Sequence, residues 1–164
     1  MAKRIIVDKN DTIIGAKLRD EMIFGIDLYR VSALWLTNSR NQILLAQRSL
    51  SLHNGAGLWG PAVAGTVEEG ETYETNIYKE AYEEIGLQDV IFEKSQKIFI
   101  EGERPYFCQY FTATLNYNVD KFILDPNEVN AVQWIEPDLL KKDLRMQPEK
   151  YIHKMNQVIQ LFLS

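Results

Sequence analysis

Gly65-Thr66-Val67-Glu68-Glu69-Gly70-Glu71-Thr72-Tyr73-Glu74-Thr75-Asn76-Ile77-Tyr78-Lys79-Glu80-Ala81-Tyr82-Glu83-Glu84-Ile85-Gly86-Leu87 decides how this chain is read. Tyr73, Ile77, Ala81 and Ile85 recur at every fourth position, the period of a helix with one apolar face. Thr72 is placed to cap its start. Gly86 is placed to end it, because glycine tolerates the left-handed conformation a helix end often needs. Glu80, Glu83 and Glu84 then share one arc of the surface at i, i+3 and i+4. Like charges at that spacing cost a few tenths of a kcal/mol per pair. A solvated acidic face would tolerate this. The Gly-rich approach and the glycine stop at fixed spacing favour the sharper reading, a site for a hard cation. Magnesium and manganese take oxygen ligands, keep several waters and are shared with substrate phosphates.

At these residues the chain resembles the Nudix hydrolases. Their signature is Gly, five residues, Glu, seven residues, Arg-Glu-apolar-x-Glu-Glu-x-Gly-apolar. Every fixed position is matched except that Lys79 stands where the family has arginine. The upstream segments VDKNDTIIGAKLRDEM and ILLAQRSLSLHNGAGLWGPAVAG resemble the branch related to isopentenyl-diphosphate isomerase. The resemblance implies an α/β/α sandwich with a mixed sheet flanked by helices. It implies a Mg2+- or Mn2+-dependent pyrophosphatase acting on a nucleoside diphosphate derivative or similar small-molecule diphosphate.

The same resemblance assigns roles. Glu80 and Glu84 correspond to the principal metal ligands, and Glu83 to a third ligand or a water-orienting base. The carbonyl of Ala64 corresponds to a further ligand. Glu71 and Lys79 match the pair that orients the catalytic glutamates. Lysine keeps the charge but loses the two-pronged planar fork of arginine, which leaves a non-catalytic diphosphate sensor as one alternative. The other alternative is the isomerase. Its cysteine and histidine positions fall here on Ala64 and Thr66, neither of which can do that chemistry.

The rest of the chain bounds the answer. At 164 residues, 46% apolar, it suits one domain, residues 1–164, with a buried core. The net charge of −5 argues against a nucleic-acid backbone binder. The lone Cys108 excludes an internal disulfide and fits a reducing compartment. With no signal-like or membrane-spanning apolar run, a cytoplasmic protein without a membrane partner is expected. Homodimer formation is left open, as is the group attached to the diphosphate.

Patterning predicts a hairpin from 4–8 and 12–14, a short helix over 18–24, and strands over 29–36 and 43–48. A loop over 49–60 and an extended segment over 62–64 follow. Further strands are expected over 90–100, 106–115 and 129–135, then helices over 138–144 and 149–163. Gly55 to Gly60 spell G-x-G-x-x-G, but Pro61 and an extended segment follow where a dinucleotide site needs a helix N-terminus. A substrate-facing loop fits better. Trp59 is a candidate substrate contact or a core residue, and Arg48 a candidate phosphate grip. Glu128 is a candidate extra ligand or base. His53 and His153 lack the spaced partners of a zinc site, and His153 is expected on the terminal helix.

Overall fold

The computed structural model describes residues 1–163. Nine strands form one mixed sheet: β1 (Arg4–Val7), β2 (Ile13–Lys17), β3 (Leu28–Thr37), β4 (Ile43–Arg48), β5 (Trp59–Pro61), β6 (Val63–Thr66), β7 (Glu93–Ile100), β8 (Tyr106–Thr114) and β9 (Val129–Ile135). The helices are α1 (Tyr73–Ile85), α2 (Pro137–Met146) and α3 (Met155–Phe162). Strand β3 is the hub. It runs parallel to β8 from Tyr29↔Tyr106 to Thr37↔Thr114. It also pairs antiparallel with β1, β6 and β4 in turn.

Alternation along β3 sorts the core. Leu34 and Leu36 meet Ile77, Ala81 and Ile85 of α1 on one face. Ala33 and Trp35 meet Leu140, Leu144, Met155 and Val158 of α2 and α3 on the other. Period-two strands between amphipathic helices give the α/β sandwich that the sequence implies.

Several local expectations are corrected. Residues 18–24 make only one 3-10 turn, Arg19–Glu21. There Glu21 accepts from the Leu18 N–H at 2.9 Å, and Asp27 accepts from the Ile23 N–H at 2.7 Å. These side-chain acceptors satisfy the amides that a longer helix would have used. The loop after β4 ends early, because Trp59–Pro61 pairs with β4. Strand β7 starts at Glu93 rather than at residue 90. The terminal helix is shortened: Pro148–Lys150 is a 3-10 turn, and the Ile152 N–H donates to the Trp59 carbonyl at 3.0 Å. His153 therefore lies in the turn before α3, not on it.

Candidate active site

Helix α1 is built as its spacing requires. The Thr75 N–H donates to Thr72 Oγ1 at 3.1 Å and the Thr72 N–H to Thr75 Oγ1 at 2.9 Å, a reciprocal cap. Gly86 ends the helix at φ +68°, and its added Cβ would sit 2.8 Å from Ile123 Cβ. At the N-terminus, Ser32 Oγ donates to the Tyr73 carbonyl at 2.7 Å. Tyr73 Oη donates to Asp11 at 2.8 Å, and Asp11 also accepts from Arg30 Nε at 2.7 Å and Lys97 Nζ at 2.7 Å. Asn76, Ile77, Ala81 and Ile85 are wholly buried.

Glu80 lies across β6 at Gly65. A Cβ on Gly65 would overlap Glu80 Cγ and Cδ. The box glycine is thus a close-approach residue, with ordinary backbone and no room for a side chain. Burial pushes the Glu80 carboxyl up to about 7, Lys79 pulls against this, and Glu83, Glu71 and Glu68 add to it. Burial pushes Glu84 up to about 8, helped by Glu80 and Glu128 and opposed by the Ala64 N–H and by Arg48. Glu83 is exposed on the same helix. Glu128, on the loop before β9, faces Glu84 across a small cavity of about 90 Å³.

Lys79 Nζ lies 2.5 Å from Glu71 Oε1, 3.1 Å from Glu68 Oε2 and 3.6 Å from Glu80 Oε1. Burial works against its charge, but hydrogen bonds to Glu71 and Glu68 raise its pKa above the usual range. Burial likewise disfavours charge on Glu71. Donation by Lys79, the Glu68 N–H and Asn76 outweighs it and holds this carboxyl below its ordinary value. Asn76 and Glu68 belong to this network, and motif matching passed over both. Asn76 Nδ2 donates to Thr66 O at 3.0 Å and Glu71 Oε2 at 2.9 Å, with Glu80 Oε1 at 3.4 Å. Its Oδ1 is the one buried side-chain polar atom among the described residues without a partner. The available signal was position: Asn76 is four residues before Glu80, on the same helix face.

Arg48 lines the small cavity beside Glu84 and Ala64, and its Nε and Nη2 donate to the Asn54 carbonyl at 3.2 and 3.0 Å. A second cavity of about 530 Å³ shares Arg48, Ala64 and Ile152 with the first. His53 and His153 line it. Trp59 lines neither cavity and packs at the edge of the core beneath α3. Cys108 is buried in that same core, its thiol pushed up to about 12 by burial.

Among the described residues no three acidic, histidine or cysteine side chains close into a ready-made metal cage. The box glutamates are neighbours along α1 rather than a closed cluster. Their chemistry nevertheless fits a hard divalent ion that keeps waters. Glu80 and Glu84 are half-buried oxygen donors whose joint ionisation is disfavoured, and an added cation would offset that.

A mixed sheet with a carboxylate-bearing helix on one face and two helices on the other defines the class. The NUDIX domain profile matches residues 28–155, so the chain belongs to the Nudix family. A prenyl-diphosphate phosphatase of Methanosarcina mazei is 30% identical, covering 95% of this chain and 92% of that protein. An isopentenyl-diphosphate Delta-isomerase of Pectobacterium atrosepticum is 26% identical, covering 90% and 83%. A crystal structure from Deinococcus radiodurans superposes with a TM-score of 0.83 at 21% identity, covering 98% of this chain and 99% of that one. No helix among the described residues is long and apolar enough to cross a membrane.

Proposed function

We propose that this chain is a divalent-metal-dependent hydrolase of organic diphosphates. One observation carries the reading: Glu80 and Glu84 are half-buried neighbours on α1 with raised pKa values, and Glu84 lines the small cavity beside Arg48. Two half-buried acids short of donors are a poor structural device and a good cation site. The similarity to the prenyl-diphosphate phosphatase supports a diphosphate as the ligand.

Glu80 and Glu84, with the Ala64 carbonyl, would hold Mg2+ or Mn2+. The bound ion would neutralise phosphoryl oxygens and lower the pKa of a bound water. Glu83, exposed beside them, takes the proton of the attacking water. Glu71 and Lys79, with Asn76, fix the Glu80 carboxylate in place. Arg48 grips the diphosphate with its planar fork. Glu128 serves as an extra ligand or base opposite Glu84.

The similarity to the isomerase motivates a second reading. Its chemistry needs a proton donor at the cavity, and Ala64 and Thr66 occupy the two positions concerned, while Cys108 is buried in the core. A substrate panel of nucleoside and prenyl diphosphates, assayed with Mg2+, with Mn2+ and with EDTA, tests the proposal. Phosphate release that stops in EDTA is expected. Full turnover in EDTA, or double-bond migration without phosphate release, would overturn it.

A further inference from the structure

The larger cavity carries charge that diphosphate binding beside Glu84 does not use. Arg4, Arg19 and Arg104 line it, and none of them lines the small cavity that holds Glu84 and Glu128. They come from β1, from the 3-10 turn before β3, and from the β7–β8 turn, so the fold brings them together from distant parts of the sequence. None forms an ion pair among the described residues, whereas Glu68, whose backbone bridges to Arg4, gives its carboxylate to Lys79. Burial, together with the charges of Arg19 and Arg104, pulls the Arg4 guanidinium below its ordinary value although Tyr29 and Glu68 oppose this. Aromatic rings support two of the three: Arg4 lies 5.7 Å from the centre of the Tyr29 ring and Arg104 lies 4.0 Å from that of Phe24. Tyr29 and Tyr106, 5.3 Å apart, add an aromatic wall.

Three unpaired guanidiniums around one cavity are unexpected in a chain with 23 acidic and 18 basic residues. Gathered around one cavity, with Glu68 acting on Arg4 but ion-paired to Lys79, these three repel one another until an anion arrives, and arginine forks match phosphate oxygens two at a time.

We propose that Arg4, Arg19 and Arg104 form a second anion subsite that binds a phosphomonoester on the uncut part of the substrate. The two cavities share Arg48, Ala64 and Ile152 in their linings, so a molecule reaching past these residues would occupy both. Its diphosphate lies toward Glu84 and its second phosphate lies among the three arginines. This specificity rests on the hydrolase reading, but the subsite itself does not.

The test has two arms, using the full chain and the Arg19→Ala/Arg104→Ala double variant. Both side chains are exposed, and thermal melts check that the variant folds. In the first arm, inorganic phosphate is titrated by calorimetry in EDTA. Affinity is expected to fall about tenfold or more in the variant, equivalent to at least about 1.4 kcal/mol. Equal affinity, or no binding by either protein, overturns the subsite whatever the enzyme hydrolyses. In the second arm, adenosine 5′-diphosphate is compared with 3′-phosphoadenosine 5′-diphosphate in Mn2+. The phosphorylated compound is expected to have about tenfold higher kcat/KM, through KM, and the variant to erase that preference while keeping turnover of the plain diphosphate. Equal loss on both substrates, or a preference for geranyl diphosphate over both, counts against the proposal. Absence of any hydrolysis would sink the hydrolase reading and leave the first arm to decide the subsite.

Discussion

The two ends of α1 each lean on a desolvated carboxylate, and the two carboxylates are treated in opposite ways. At the N-terminal end, Asp11 is desolvated but receives Lys97, Arg30 and Tyr73, and its pKa falls below the ordinary value. At the C-terminal end, Glu84 is desolvated among Glu80 and Glu128 with one backbone donor and no hydrogen bond from Arg48 across the shared cavity, and its pKa rises to about 8. Desolvation disfavours the charge of both. The count of donors separates them: one acid is supplied with partners by the fold, and the other is left short of them. The first pattern is that of a structural clamp, and the second is that of a site awaiting a ligand.

The largest effect should come from Glu84→Gln. Removing the charge while keeping the shape should cut turnover by about a thousandfold, in the range measured for removal of a key stabilising group. The metal-free variant should melt no lower than the parent at pH 8. A much lower melting temperature with normal turnover would make Glu84 structural and erase the contrast.

Asp11→Asn attacks the other end. Asparagine tolerates the backbone at Asp11, φ +61°, but leaves Arg30 and Lys97 unpaired. A loss of about 3 kcal/mol in urea unfolding is expected, with turnover of the folded fraction little changed. Because the folded pKa is depressed, this stabilisation is present above the ordinary value of 3.8 and fades as pH falls through the folded value. An unchanged midpoint at pH 7 would mean that the clamp carries no weight.

The opposite sign applies at Glu80 and Glu84. Both ionise near 4.5 when unfolded but hold protons to about 7 and 8 when folded. Without metal, stability should therefore fall as pH rises from about 4.5 to about 8, then level off. Added Mg2+ should reverse the fall, and Mn2+ affinity should climb over pH 6 to 8.5 with proton release. Melting curves in EDTA that do not depend on pH across this window would contradict the raised values.

The smallest effect is expected for Lys79→Arg. The fork can reach Glu71 and Glu80 together, so turnover should hold or rise, changing by less than about tenfold. Asn76 already supplies one of those hydrogen bonds, which limits the gain. A larger fall without destabilisation would show that the network is fitted to lysine.

Legibility followed the range of the interactions. Helix α1 could be read to within a residue, since its cap at Thr72, its stripe at Ile77, Ala81 and Ile85, and its stop at Gly86 are all local. The alternating strands β3 and β4 were equally plain. The 149–163 region was misread because its pattern is helical but Ile152 is drawn to Trp59, a partner some ninety residues away. The same long-range pairing turned Trp59 from a loop residue into a strand residue at the edge of the core. Asn76 looked like an ordinary polar position until Glu71, Glu80 and Thr66 surrounded it. Arg4, Arg19 and Arg104 carry no common motif, and only the sheet brings them to one cavity.

Gly65 has a consequence for how such a chain can change over generations. Its absent side chain is the space that Glu80 fills, so a change at one position constrains the other. While the glutamate is kept, almost any replacement of the glycine displaces it. Once selection for the carboxylate stops, both positions are released together. A Nudix chain that has lost this glycine has therefore given up the place where its glutamate stood, even if the glutamate is still written in the sequence.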